Sequence, residues 1–259
     1  MVMGANQITD WHDAVASAVA WWIDAGVDTI ADETPRDWLA KAVAADRAPV
    51  PAGVVDEAPT APPLPDTLEA FVEWRTGPDA PEALWPGPVV AAQGVAGAPL
   101  MIVIDLPERE DAESGVLMSG AAGRLFDRML AAIGLDRSSA YLVALCTKRP
   151  VAGRIAPEIE ERQAEILRHH VALAAPKRLL LLGNAPSRAI TGADVAPARG
   201  SLHAVNLEGG TVERTNDDGS DRTRTLAVAT FHPRLLLERP AMKAEAWKDL
   251  QMLIGGLQS

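Results

Sequence analysis

Four apolar runs in the last three-fifths of the chain limit its fold more than any other feature. They are LMIVIDL at 100–106, YLVALC at 141–146, RLLLLG at 178–183 and LAVAT at 226–230. Each is short and continuous rather than alternating. Such runs suit strands covered on both faces, as in a parallel sheet. Helical periodicity lies between them. Residues 120–133 put Leu125, Phe126, Met129, Leu130 and Ile133 on one side, with Gly134 just past the end. Pro157 opens a helix to about Ala174, with Ile159, Ile166, Leu167 and Val171 inward. A short helix starts near Pro186. Pro240 opens a last one with Trp247, Leu250, Leu253 and Ile254 inward, closed by Gly255-Gly256. This alternation predicts right-handed crossovers and a three-layer α/β/α fold around a mostly parallel four-stranded sheet. The polar insert 208–224 reads as an exposed hairpin or loop.

The N-terminal part follows other rules. Residues 8–24 space Ile8, Trp11, Val15, Val19 and Trp22 as one face of a helix. Thr34-Pro35-Arg36-Asp37 starts a second helix, running to about Ala45. Residues 46–66 are proline-rich and read as an extended linker. A short helix at 67–75 is expected, with Asp66 as cap and Leu68, Phe71 and Val72 inward; residues 76–99 read as irregular. The expected organisation is an acidic helical extension at 1–45, a linker at 46–66 and an α/β domain at 67–259. Charge divides the same way. The chain carries −11; residues 1–99 hold 15 acids and 4 bases, whereas residues 100–259 hold 20 of each. Six of the 7 tryptophans also precede residue 100. The acidic excess therefore counts against nucleic-acid binding by the first region only. The single cysteine, Cys146, excludes an internal disulfide and a cysteine-ligated cluster. A start without a basic segment and apolar run, and no stretch of about 18 apolar residues, predict a soluble cytoplasmic protein that does not meet a membrane.

In a sheet of this kind the working residues sit where strands end. Asp105 is the only carboxylate inside the first apolar run; it can orient water or stabilise a cation, or it is a solvated strand end. Gly115 to Arg124 forms a small-residue turn into a helix. Its N–H groups can meet phosphate, or the small residues let the helix approach the sheet. Lys148, Arg149 and Arg154 form a basic loop, either phosphate-facing or merely solvated. His232, locked by Pro233 at the end of the fourth run, either works at the open edge or bonds a neighbouring loop. His169 and His170 point about 100° apart on a helix and read as non-ligands. No GxGxxG follows the first run, which disfavours a dinucleotide binder.

Read together, these segments resemble the uracil-DNA glycosylase superfamily, most nearly its family 4 type, which normally holds an iron–sulfur cluster. The resemblance rests on LMIVIDLPE, SGAAGRLFDRMLAAIGLDR, YLVALCTKRPVAGR, PKRLLLLGNAPSRAITG, Arg199-Gly200 and TFHPRLLLERPAMKAEAWKDLQ, in that order. It covers about Gln93 to Leu253, roughly 60% of the chain. It implies flipping of uracil out of the DNA stack and cleavage of its N-glycosidic bond. It also implies roles residue by residue. His232 stabilises the departing base, and Asp105 handles the water or sugar cation. Arg234, Leu235, Leu236 and Leu237 form a wedge loop. Gly120, Gly123 and Arg124 form the small-residue turn near DNA, with Lys148, Arg149 and Arg154 on the basic loop. Pro107 keeps the proline of the first motif.

Elsewhere the chain departs from the pattern. Ile104-Asp105 stands for Gly-Glu, and Glu108 for the motif's last Gly. Met118 stands for the base-stacking Phe, and Ala144, which has no polar side-chain atom, for the Asn that reads the base edge. The cluster cysteines fall near Lys148 and Gln163, and their N-terminal pair has no counterpart. The expectation is a divergent glycosylase without cofactor, metal or cluster, acting on single- or double-stranded DNA. The alternative is a catalytically degenerate nucleic-acid or protein binding module. A protein partner is expected, if anywhere, through residues 1–60, which otherwise act as a cover.

Overall fold

The computed structural model describes residues 63–205 and 225–255, the backbone of 212–215, and helical residues 15–17 and 19–21. The chain divides into two compact units, Met1–Thr60 and Ala61–Ser259. In the first, Val15, Val19 and Trp21 are exposed. The rest of the expected 8–24 helix, the second helix and nearly all of the 46–66 linker lie outside the described residues. So does most of the 208–224 insert.

The second unit is built on a seven-stranded sheet in the order β1-β3-β2-β4-β7-β5-β6. The strands are β1 (Gln93–Gly94), β2 (Leu100–Ile104), β3 (Ala140–Ala144), β4 (Arg178–Leu182), β5 (Leu202–Val205), β6 (Val212–Thr215) and β7 (Thr225–Thr230). The four expected strands are the parallel core, with β2 between β3 and β4, and β7 beyond β4. The sheet is wider than the sequence predicts. Three short antiparallel strands complete it: β1 on β3, β5 on β7 and β6 on β5.

Helices cover both faces. They are α1 (Leu68–Thr76), α2 (Arg109–Ser114), α3 (Ala121–Ala132), α4 (Pro157–Ala174), α5 (Asn184–Thr191), α6 (Val195–Ala198), α7 (Pro233–Glu238) and α8 (Lys243–Ile254). Alternation along each strand sorts its side chains between two cores. Met101, Val103, Leu179, Leu181, Ala227 and Ala229 pack with Leu167 and Val171 of α4 and Ile190 of α5. Leu100, Ile102, Ile104, Leu180, Leu182 and Val228 pack with Phe126 and Leu130 of α3 and Leu250 and Leu253 of α8. Each large side chain so buried contributes about 1.5–3 kcal/mol.

Local chemistry moves several boundaries. Thr67, not Asp66, caps α1, because its hydroxyl accepts from the Ala70 N–H at 3.3 Å. The acidic stretch 108–113 is largely helical, as α2. Trp247 is 40% exposed, so Ala246, Leu250 and Leu253 carry the inward face of α8. Gly123 lets α3 start tight against the preceding turn; a Cβ there would lie 1.5 Å from the Met118 carbonyl oxygen. Met118 itself holds a left-handed φ of 57°, a strained conformation for a side chain of its size.

Candidate active site

The chain order turns around at β2: β3 lies on one side of it, β4 and β7 on the other. Open sheets place ligand clefts at such a reversal, beyond the carboxyl ends of the strands. A cleft of about 510 Å³ opens there, bordered by Asp105, Arg154, Asn184, Phe231, His232 and Arg234. These residues follow four different strands.

His232 ends the β7 segment and caps α7, with Pro233 at the first helical position. Proline has no N–H, so the first donor available to the cap belongs to Arg234. The His232 Nδ1 accepts it at 3.1 Å. An acceptor Nδ1 leaves the proton of the neutral ring on Nε2. That Nε2 is buried and, among the described residues, has no hydrogen-bond partner. The nearest carboxylate oxygen, Asp105 Oδ1, stands 3.8 Å away, beyond hydrogen-bond range. Burial pushes His232 down to about 4; Asp105 pulls upward and Arg234 adds to the fall. The ring is therefore a neutral donor at physiological pH.

Asp105 follows β2 directly. Its Oδ1 accepts the Leu106 N–H at 2.8 Å, and its Oδ2 faces Arg234 Nη2 at 3.4 Å. Arg234 also contacts Glu108 Oε1 through Nη1. Arg149 lies 3.5 Å from Glu108 Oε2 and donates to the Pro107 carbonyl at 3.0 Å. Glu108 thus joins the loops that follow β2, β3 and β7, a pairing that no sequence spacing announces.

The other predicted residues are distributed unevenly. Arg154 is exposed on the cleft rim, and among the described residues nothing pairs with it. Leu235 lines the cleft. Leu236 is buried against Leu125, Val195, Phe231 and Ala246, and Leu237 is the exposed leucine of that turn. Lys148 turns away, its Nζ donating to the Ala83 and Trp85 carbonyls at 2.7 and 3.1 Å. Arg124 is exposed, and Gly120 precedes α3. Met118 is buried in the core and does not border the cleft. Ala144 borders a separate narrow crevice with Arg75, Thr147 and His170.

Three buried acids among the described residues escaped the sequence reading: Asp249, which accepts from the Thr230 hydroxyl at 2.8 Å and pairs with Arg199, and Asp111 and Glu82. Asp111 accepts from the N–H groups of Glu108, Met118 and Ser119 and from the Ser119 hydroxyl, at 2.7–2.9 Å. Burial opposes its charge, but these donors hold its carboxyl below the usual range. It is what fixes the Met118 turn, together with Arg137, which bonds the Met118 carbonyl at 2.6 Å. Glu82 pairs with Arg75 at 2.5 Å and accepts the Thr147 N–H at 2.7 Å. Gln163 bridges the pair, taking Arg75 Nη2 at 2.8 Å and donating to Glu82 at 3.2 Å. Arg75 does carry a signal: it shares a helix face with Leu68 and Phe71, and a cation there needs a partner.

These residues do not fit an iron–sulfur cluster. Cys146 is fully buried, and burial, with Glu82 and Asp105 nearby, pushes its thiol upward. Gln163 and Lys148, where the resemblance puts two ligands, carry no thiolate and are held in the contacts above. Among the described residues, no group of three or more His, Cys, Asp or Glu side chains could hold a metal ion. No helix among them is long and apolar enough to cross a membrane.

Comparison with known proteins supplies the remaining findings. The family described as the uracil DNA glycosylase superfamily matches residues 91–251. A type-4 uracil-DNA glycosylase of Pyrobaculum aerophilum is 26% identical over 175 residues, covering 64% of this chain and 82% of the relative. One of Archaeoglobus fulgidus is 26% identical over 169 residues, covering 63% and 79%.

Proposed function

Because the chain belongs to the uracil DNA glycosylase superfamily, we propose that it cleaves the N-glycosidic bond of uracil, or of a related damaged base, in DNA. This is the opening step of base-excision repair. One observation carries the reading: the unpartnered, proton-bearing Nε2 of His232 at a cleft that also holds Asp105. A base flipped from the stack brings its glycosidic bond between the two. As that bond breaks, its electron pair leaves with the base. His232 Nε2–H donates to the base oxygen where the negative charge gathers. A neutral ring does this without itself becoming an anion or losing a proton to the base. The Asp105 carboxylate faces the cationic sugar carbon and takes the proton of the water that adds there. Arg154 and Arg124 meet backbone phosphates. Leu235 and Leu237 occupy the gap left by the base. Pro107, Gly120 and Gly123 shape the turns, while Lys148 and Leu236 brace this surface from beneath.

A second reading has its own support. Ala144 has no polar side-chain atom and Met118 is buried in the core, so two recognition groups implied by the resemblance are missing. A degenerate member of the fold would bind nucleic acid or protein without cleaving it. One assay separates the two. Single- and double-stranded oligonucleotides carrying uracil, hypoxanthine or xanthine are incubated with the protein, then treated with alkali to break abasic sites. The enzyme reading expects strand breaks that fall by about 100-fold or more in His232→Ala. Bound but uncleaved DNA at stoichiometric protein would establish the module instead.

A further inference from the structure

We infer that Glu108 acts as an internal stand-in for a DNA phosphate, neutralising Arg149 and Arg234 in the free protein so that DNA must displace it to bind. The inference rests on the DNA reading above and concerns how that site is regulated. A carboxylate between two guanidinium groups offers what a phosphodiester offers: two oxygens and one negative charge, in the geometry arginine prefers. Glu108 supplies it from the β2 loop. Its Oε1 contacts Arg234 Nη1, and its Oε2 lies 3.5 Å from Arg149 Nη1. Its own N–H is anchored to Asp111 Oδ2 at 2.9 Å, so the carboxylate is presented by a fixed backbone.

Both arginines stand where DNA would approach. Arg234 borders the cleft. Arg149 packs against Gly153, also on the cleft border, with its Nη2 3.3 Å from the position of a Cβ there. Their side chains are 42% and 26% exposed, against 16% for Glu108. The cations are thus open to an incoming anion, and the acid between them is largely covered. Arg154, on the same rim, is unpaired among the described residues. Around the cleft mouth, then, Arg154 is available at once and Arg149 and Arg234 only by exchange, while Arg188 is held by Glu160 and Asp194. Random duplex, which brings its phosphates without a flipped base, benefits less from this surface than its number of arginines suggests.

The test is a salt titration of DNA binding with the full-length protein and a uracil-containing duplex. Glu108→Gln keeps the shape and removes the charge; Glu108→Ala removes both; Glu113→Gln removes one charge from an exposed neighbour as the control. Each further phosphate neutralised steepens log K against log salt by about 0.9 for duplex DNA. The expectation for both Glu108 variants is roughly tenfold tighter binding near 50 mM salt and a slope steeper by about one to two phosphates' worth. Glu113→Gln should leave the slope unchanged. Arg149→Ala should cost little in the parent protein and more in the Glu108→Gln background, because only there is its charge unpaired. Unchanged or weaker binding by the Glu108 variants, with the parent still binding, overturns this inference and leaves the glycosylase reading standing. A protein that binds DNA in neither form overturns both.

Discussion

A histidine that caps a helix through one ring nitrogen has only the other left for chemistry. His232 is in that position, and the residue before its donor is proline, so the proton is placed by main chain alone. Its neighbours then decide the charge. Asp105 at 3.8 Å favours an imidazolium, while burial and Arg234 oppose it and hold the ring down to about 4. A lowered value moves the acid limb of activity to lower pH. On a uracil oligonucleotide, kcat/KM should therefore show no fall centred near 6.5, the ordinary histidine value, as pH drops from 8 to 5.5. A limb at 6.5 that disappears in His232→Asn would mean that the ring titrates as an exposed group and that the buried neutral form is not the working one. Met118 makes the complementary point about single residues. Its left-handed backbone is not a defect of packing, since Asp111 and Arg137 grip it from both sides.

At the scale of elements, the buried Arg75–Glu82–Gln163 group ties α1 and the segment after it to α4 and to the end of β3, where Arg75 also bonds the Leu145 carbonyl at 2.7 Å. Burial alone would raise Glu82, but Arg75, with Thr147 and Gln163, holds it below the usual carboxylate range. Removing one charge of such a pair strands the other. Glu82→Gln should cost about 3–5 kcal/mol of stability by urea denaturation, whereas Arg75→Met with Glu82→Leu together should cost distinctly less. Equal losses would mean that the pair acts only as filler. This group also marks what a sequence can reveal. The strands β2, β3, β4 and β7 and the bounds of α4 were legible because doubly covered apolar runs and a proline at the helix start are local signals. Strands β1, β5 and β6 were not, because short edge strands take their identity from the neighbour they pair with. The partners of Arg75 stand 7 and 88 residues away in sequence, and no periodicity connects them. For the same reason Asp105 and His232 could be named from their strand ends, but the Glu108–Arg234 contact between them could not.

For the whole molecule, two buried histidines among the described residues, His170 and His232, contribute to the response to acid. His170, against Phe71 and bonded to the Tyr141 hydroxyl at 3.0 Å, is held down to about 3, and His232 to about 4. Both folded values lie below the unfolded one. As pH falls below about 6.5 the unfolded chain takes up protons that the folded one refuses, so stability is lost. Between pH 6.5 and 5 each such proton costs about 1.4 kcal/mol per pH unit. Urea midpoints should fall steadily over that window, and His170→Gln should roughly halve the slope whatever it does to the absolute stability. A midpoint that stays level would place both rings in contact with solvent. The sheet itself assigns the two halves of the site different freedom. Hydrogen bonding between β2 and β3 runs past the strand ends, with the Leu145 N–H on the Ile104 carbonyl at 2.9 Å and the Cys146 N–H on the Asp105 carbonyl at 3.3 Å. Asp105 is therefore stapled into the centre of the sheet, while His232 hangs from a two-residue turn at the head of a six-residue helix. On the proposed reading the carboxylate is the anvil and the histidine the jaw: fitting the site to a different base is a matter of altering the His232 turn, with Asp105 as the fixed point from which its reach is measured.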